Sequence, residues 1–176
     1  MTNQFYAKPQ LTIGQAVNEA KNKLVDFSGR SRRSEYWWCY LIVIIANFTV
    51  GFIPIFGSLI TTLLGLAMIP LMFRRLHDTG RSGWWWGAGC ILGVIVVISV
   101  IFSLMPYLKD IAYDEAAMED PEFVLELMKV IFTNPFNLIL FAVSFIYEIV
   151  LLVFTCLDSH PEPNKYGESP KYVIED

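Results

Sequence analysis

The sequence predicts an all-α, polytopic membrane protein with four transmembrane helices and an N-terminal amphipathic cytoplasmic helix. Three observations predict this class. Only 17% of the 176 residues are charged, whereas a water-soluble domain carries roughly 25%. Hydrophobic residues make up 55% of the chain, and the mean hydropathy is +0.47. The apolar residues also come in long blocks separated by short polar segments.

Residues 1–35 are predicted to be a cytoplasmic segment with one amphipathic helix and a basic stretch. Over residues 12–27 apolar side chains recur at helical spacing, with polar side chains between them. Thr12 and Gln15 have the spacing of a capping box, and Gly29 is a plausible end of the helix. The helix is expected to lie on lipid headgroups or to pack on the protein's own loops.

Residues 36–157 are predicted to form the membrane domain. The first apolar run ends at Pro54, and an uncharged connection leads directly into the second. A span needs roughly 17–25 apolar residues. Four runs come near this length, at residues 36–53, 58–73, 84–105 and 137–157.

The long loop at residues 106–135 is acidic and is predicted to be extracytoplasmic. It holds seven acidic residues against Lys109 and Lys129. Asp120 before Pro121 has the pattern of a helix start, so we expect a short amphipathic helix there. The polar tail at residues 158–176 is predicted to be cytoplasmic and to have no regular structure.

Orientation follows from the lysines and arginines on each side. The N-terminal segment, the turn at residues 74–86 and the tail together hold eleven, and the two opposite loops hold two. The positive-inside rule therefore places both termini in the cytoplasm. All five tryptophans then fall at the cytoplasmic interface, where indole rings are favoured.

The basic residues beside the predicted spans are candidates for binding anionic headgroups. Ser82 is a good N-cap, and a helix N-terminus beside several arginines favours a phosphate. The alternative is that each arginine only sets topology and anchors the chain to anionic lipid. The candidate anion-binding residues are Arg30, Arg32, Arg33, Arg74, Arg75, Arg81 and Ser82.

Two further pairs suggest other functions. His77 and Asp78 invite a catalytic interpretation, although adjacent residues in a turn seldom face each other, and a structural role is favoured. Glu148 and Asn47 lie at similar depth in predicted spans, where they would tie two helices together or serve proton or ion coupling. The three cysteines lack metal-site spacing, so no metal or cofactor is expected, and the net charge of −4 argues against nucleic acid.

Three motifs carry a family resemblance. Gly-Arg-Ser-Arg-Arg-Ser-Glu-Tyr-Trp stands at 29–37, Arg-Arg-Leu-His-Asp-Thr-Gly-Arg-Ser-Gly-Trp-Trp at 74–85, and Asn-Lys-Tyr-Gly-Glu-Ser-Pro at 164–170. Together they resemble the small YhaH-like bacterial inner-membrane proteins, a family filed as domain of unknown function 805. The motif core besides the arginines comprises His77, Asp78, Gly80, Gly83, Trp84, Asn164, Tyr166 and Gly167.

The resemblance implies a multi-pass protein of the bacterial inner membrane and supplies no activity. Typical members have a shorter apolar stretch between the second and third motifs, so residues 106–135 look like an insertion. The residues favour a non-enzymatic role, in which the basic, Trp-rich cytoplasmic face binds anionic phospholipid or a membrane-protein partner, including a second copy. The alternatives are a small transporter or channel subunit using Glu148 and Asn47, and a lipid-modifying enzyme using His77 and Asp78.

Overall fold

The computed structural model describes residues 4–53, 56–108 and 119–174, and these residues confirm the helical fold class. One short antiparallel pair of strands, β1 (Phe5–Ala7) and β2 (Tyr172–Ile174), joins the two ends of the chain. The described α-helices are α1 (Ile13–Asn22), α2 (Arg33–Thr49), α3 (Phe56–Asp78), α4 (Trp84–Leu104), α5 (Pro121–Thr133) and α6 (Pro135–Cys156). A 3-10 turn, Met105–Tyr107, extends α4.

Helix α1 begins with the capping box that the sequence predicts. The Thr12 hydroxyl accepts from the Gln15 N–H, and the Gln15 side chain accepts from the Thr12 N–H. The helix ends at Asn22, earlier than the predicted end at residue 27. Ala16 is fully buried, and its carbonyl lies 3.7 Å from the Cys39 thiol of α2, so α1 packs on α2.

Three of the described helices are long and apolar enough to cross a membrane. They are α3, α4 with its 3-10 extension, and α6. Helix α2 has 17 residues, which reach ~25 Å at ~1.5 Å per residue, against a hydrocarbon core of ~30 Å. The span predicted at residues 36–53, which would bring the number of spans to four, therefore stays a prediction.

Helix α3 is longer than the second span predicted at residues 58–73. Helix α3 continues past residue 73 and includes Arg74, Arg75, His77 and Asp78. The prediction of a turn from residue 74 onward was wrong because these polar side chains are buried and bonded inside the protein, as described below. The turn is confined to the few residues between α3 and α4.

Helix α4 shows why lipid must surround part of this protein. Its 21 residues are all described, and none of them is buried. Large exposed apolar side chains such as Ile91, Val97 and Phe102 cover it. A contiguous apolar surface of this size is not stable in water. The bilayer is the environment that removes this surface from water.

The helix predicted in the acidic loop is present as α5. The Asp120 carboxylate accepts from the Glu122 N–H, and Pro121 occupies the first helical position. Residues 109–118, which include several of the loop's acids, lie outside the described residues, as do Pro54 and Ile55 of the first connection.

The tail differs from its prediction. It pairs with the N-terminal segment through β1 and β2, in the register Phe5↔Ile174, Tyr6↔Val173 and Ala7↔Tyr172. The expectation of no regular structure was wrong because the partner strand lies at the other end of the chain. The described residues divide into two compact units, one within Met1–Trp86 and Leu151–Asp176, the other Gly87–Val150.

Candidate functional site

Asp78, the last residue of α3, is the centre of the first unit's polar interior. Its Oδ1 accepts from Nε of Arg30 at 3.0 Å, and Nη2 of Arg30 also lies 3.0 Å away. Its Oδ2 accepts from Nη1 of Arg75 at 2.5 Å and from the Ser159 hydroxyl at 2.6 Å. All four residues are buried. We call them the Asp78 cluster, and in it the carboxylate is neutralised and both oxygens are bonded.

Arg30 holds the C-terminal tail against this cluster. Its guanidinium donates to the backbone carbonyls of His160 at 2.5 Å, Glu162 at 3.0 Å and Gly167 at 3.2 Å. A planar guanidinium with several donors suits this role, because it can bond carbonyls in different directions. The tail is therefore anchored by one buried side chain at three points.

Arg75 satisfies carbonyls at the end of α6. It donates from Nε to the Thr155 carbonyl at 3.1 Å and from Nη2 to the Leu157 carbonyl. The last carbonyls of a helix have no partner within the helix. A cation placed there completes their hydrogen bonding and complements the helix dipole. This role explains why Arg75 is fully buried.

Arg74 has a comparable role at the end of α1. It donates to the carbonyls of Lys23 and Asp26, and its Nη2 lies 3.5 Å from Glu35 Oε1. Both side chains are buried. Arg32 is likewise buried, and it donates to the carbonyls near β1, at Lys8 and Pro9. These arginines therefore fix separate segments of backbone.

The third motif packs on the second. The His77 ring stacks on the Tyr166 ring, with centroids 3.7 Å apart and planes 5° apart. The Asn164 amide donates to the His77 carbonyl at 2.9 Å, and His77 Nδ1 lies 3.1 Å from the Gly29 carbonyl. Residues of all three motifs thus meet in one unit. His77 and Asp78 each engage other groups, which favours the structural role over the catalytic one.

The turn between α3 and α4 depends on two glycines. Gly80 has a φ of +76°, a conformation that favours glycine. A Cβ at Gly83 would lie 2.1 Å from the Phe73 ring, so the glycine permits close packing there. Ser82 accepts from the Trp84 N–H at 3.3 Å, as an N-cap does. Arg81 lies 3.9 Å above the Phe154 ring.

A cavity of about 400 Å³ opens beside the start of α2. We call it the basic slot. Three of its residues carry a positive charge, and three others offer large apolar side chains. Its lining comprises Gln10, Arg32, Arg33, Ser34, Trp37, Trp38, Leu41, Asp158 and Lys171.

The tryptophans of the slot have their polar atoms occupied elsewhere. The Trp37 indole N–H donates to the Thr155 carbonyl at 3.2 Å, and the Trp38 indole N–H donates to the Leu11 carbonyl at 2.9 Å. Both rings therefore contribute apolar surface to the slot. An aromatic wall next to cations is a suitable surface for an amphiphile that has an anionic head.

The charges of the slot are not equally available. Arg32 is buried, whereas Arg33 is exposed and donates from Nη1 to the Cys156 carbonyl at 3.3 Å. A guanidinium has several donors, so this bond leaves others for a ligand. Lys171 donates to Asp158 Oδ2 at 2.5 Å, but 20% of its side chain remains exposed. Arg33 and Lys171 are therefore the two cations of the slot that a ligand can reach.

Asp158 and Lys171 stabilise each other's charged forms. Burial alone would raise the pKa of Asp158, but hydrogen bonds from Lys171 and Ser159 hold it below its usual value. Burial alone would lower the pKa of Lys171, but its bonds to Asp158 and Tyr172 keep it above its usual value. At neutral pH the slot therefore contains one carboxylate and three cations.

The arginines predicted to bind an anion differ in how far a ligand can reach them. Arg30, Arg32, Arg74 and Arg75 are buried and bond internal partners, although Arg32 also lines the slot, whereas Arg33 lines the slot and is exposed. The slot residues Asp158 and Lys171 were missed, because nothing in the tail's pattern says that it returns to α2. The tryptophans beside a basic run were the available signal.

The two polar residues that the sequence predicts inside spans, Asn47 and Glu148, lie in different units. The Asn47 amide donates to the Val43 carbonyl of its own helix at 2.8 Å. Glu148 is exposed on α6. The bond between them stays a prediction, and so does a coupling role for either residue.

Comparison with known proteins gives a family without an assigned activity. Residues 24–168 match the family described as "Protein of unknown function (DUF805)". The "Inner membrane protein YhaH" of Escherichia coli strain K12 is 27% identical over 159 residues, which cover 84% of this chain and 88% of the relative. The "Inner membrane protein YhaI" of the same strain is 28% identical over 156 residues, with the same coverage. No solved structure matches the chain.

Proposed function

The chain belongs to the DUF805 family, and we propose that it is a non-enzymatic inner-membrane protein that binds an anionic phospholipid headgroup in the basic slot. One observation supports this proposal most strongly. A cavity of about 400 Å³ places two reachable cations, Arg33 and Lys171, beside the apolar faces of Trp37 and Trp38. Such a pairing matches a ligand with a negative head and a hydrocarbon body.

The membrane location and topology are part of the proposal. The relatives YhaH and YhaI are named inner membrane proteins, and three helices of this chain are apolar enough to span. We propose α2 with the residues after it as a fourth span, with both termini in the cytoplasm. The eleven-to-two distribution of lysines and arginines supports this orientation. The slot, at the start of α2, then faces the cytoplasmic leaflet.

The size of the slot fits a headgroup rather than a whole lipid. Small-molecule sites commonly have volumes of roughly 300–1,000 Å³, so the slot is at the small end of that range. The glycerophosphate headgroup of a phospholipid fits in such a volume. The acyl chains of the same lipid would continue along Leu41 and the exposed side of α2. Each cation near an anionic lipid contributes ~1 kcal/mol. Two such cations give a modest, reversible site.

The test removes the two cations one at a time. We expect Arg33→Gln and Lys171→Gln each to raise the Kd for a short-chain phosphatidylglycerol by about fivefold, the equivalent of ~1 kcal/mol. The lipid is titrated into the purified full chain in detergent, and bound lipid is counted by native mass spectrometry. Lys165→Gln removes the same charge from an exposed tail position outside the slot, and its Kd should not change.

Two further arms sharpen this test. Asp158→Asn removes the slot's carboxylate and releases Lys171, so we expect tighter binding. Phosphatidylcholine with the same acyl chains should bind weakly. Inorganic phosphate should not displace phosphatidylglycerol from the slot, because it makes no contact with the apolar wall. Equal losses of phosphatidylglycerol affinity in Arg33→Gln and Lys165→Gln would mean that binding depends on the overall charge of the protein. That result would contradict specific binding in the slot.

A further inference from the structure

Helix α5 has three distinct faces, although an amphipathic helix needs only two. One face packs against its own unit: Leu127 is buried, and Phe123, Val124 and Ile131 are half-buried. A second face is polar and exposed, and it includes Glu122, Glu126 and Lys129. The third face is apolar and exposed, and it consists of Leu125, Met128 and Phe132.

The third face is large and continuous. Its residues are 51%, 51% and 55% exposed, respectively, and their spacing of three and four positions places them in one stripe. The second, polar face forms a stripe beside this apolar stripe, on the side away from the buried face. An apolar stripe left outside a packed helix marks an interaction surface.

The packing of α5 fixes this stripe in place. The Phe123 ring lies 6.3 Å from the Tyr107 ring at the end of α4, and the Tyr107 hydroxyl donates to Glu126 at 3.0 Å. At the other end of α5, the Asn137 amide of α6 donates to the Ile131 carbonyl at 3.1 Å. The helix is therefore held against both neighbouring spans and cannot turn its apolar stripe inward.

One aromatic contact indicates how deep in the membrane the apolar stripe lies. The ring of Phe132 lies 5.8 Å from the ring of Phe141. Phe141 is the seventh residue of α6, which begins at Pro135, so it lies ~9 Å inside the helix end at ~1.5 Å per residue. Since α6 is long and apolar enough to cross the membrane, Phe132 reaches the depth of the hydrocarbon. The exposed Phe136 and Ile139 of α6 continue the same apolar surface.

We propose that α5 is an interfacial helix, whose Leu125, Met128 and Phe132 insert into the acyl chains of the leaflet next to the α4–α6 connection. The occupant of the stripe is lipid, because the stripe continues the surface that α6 presents to the bilayer. Glu122 and Lys129 face the headgroups and water. Binding of this kind scales with the buried apolar area. Helix α5 is then held flat on the membrane instead of projecting from it, and this inference is independent of the basic slot.

The test is a spin-label scan of α5 in the full chain reconstituted in liposomes. Cys39, Cys90 and Cys156 are first replaced by Ala, and single cysteines are introduced as Leu125→Cys, Met128→Cys and Phe132→Cys. Glu122→Cys and Lys129→Cys are the matched controls on the polar stripe. We expect the ratio of collision rates with oxygen to those with a water-soluble nickel chelate to be several-fold higher on the apolar stripe.

Either of two other outcomes would overturn the proposal. A ratio at Met128→Cys as low as the ratio at Lys129→Cys would place the apolar stripe in water. Low collision rates with both reagents at all three apolar positions would mean that protein covers the stripe, as in contact with a second copy. Circular dichroism of each labelled variant confirms that the helical fold is retained before its ratio is used.

Discussion

Replacement of Asp78 with Asn is expected to destabilise the protein by about 3–5 kcal/mol, the usual result of removing one partner from a buried ion pair. Arg30 and Arg75 are both buried, and both donate to this carboxylate. The amide has nearly the same volume, so the cost comes from two buried positive charges that lose their counter-charge. The measurement is thermal unfolding of the purified protein in detergent, in which the fraction of monodisperse protein is recorded as the temperature rises.

The control for this variant is Asp158→Asn. Asp158 also pairs with a cation, but its side chain is 46% exposed, and exposed ion pairs contribute only ~0–1 kcal/mol. We expect its unfolding temperature to stay close to that of the unmodified protein. Equal unfolding temperatures for the two variants would show that the Asp78 cluster does not hold the first unit together.

Replacement of Arg30 with Gln is expected to release the tail. Arg30 donates to three tail carbonyls and to the Asp78 carboxylate, and hydrogen bonds to charged groups contribute ~1.5–3 kcal/mol each. Loss of even one such bond should raise amide hydrogen exchange in residues 158–174 by at least about tenfold, since ~1.4 kcal/mol is a factor of ten. Exchange followed by peptide mass spectrometry measures this directly.

Arg33→Gln is the matched control for tail release. Arg33 stands three positions away, is exposed, and donates to the Cys156 carbonyl. Its loss should weaken lipid binding while the tail stays protected. The reverse result, in which Arg33→Gln exposes the tail and Arg30→Gln does not, would contradict the assignment of Arg30 as the tail's anchor.

The helices could be predicted where the signal is local. The capping box of Thr12 and Gln15 marks the start of α1, and Asp120 with Pro121 marks the start of α5. The long apolar runs predict α3, α4 and α6, because a span requires many consecutive apolar residues. Each of these signals depends only on residues within one element.

The polar interior could not be predicted, because its partners are distant in the sequence. Arg75 bonds a carbonyl 80 positions away, and Arg30 bonds one 137 positions away. Backbone carbonyls are present at every residue, so they leave no mark in the sequence. The run Arg74–Asp78 therefore had the composition of a turn, although it is the buried end of a helix.

The candidate site was predictable only in part. The basic run before α2 and the adjacent tryptophans indicated an anion site at an interface, and Arg33, Trp37 and Trp38 do line the slot. The tail's contribution was not predictable. Lys171 reaches the slot because β2 pairs with β1, and strands of three residues are too short to produce a periodic pattern.

Photocrosslinking can show directly whether an anionic phospholipid occupies the basic slot. A phosphatidylglycerol with a photoreactive diazirine near its headgroup is added to the native membranes, activated, and mapped by peptide mass spectrometry. We expect adducts concentrated in residues 31–41, and we expect excess unlabelled phosphatidylglycerol to reduce them while phosphatidylcholine does not. Adducts spread evenly over the exposed apolar helices, with no preference between the two competitors, would contradict it.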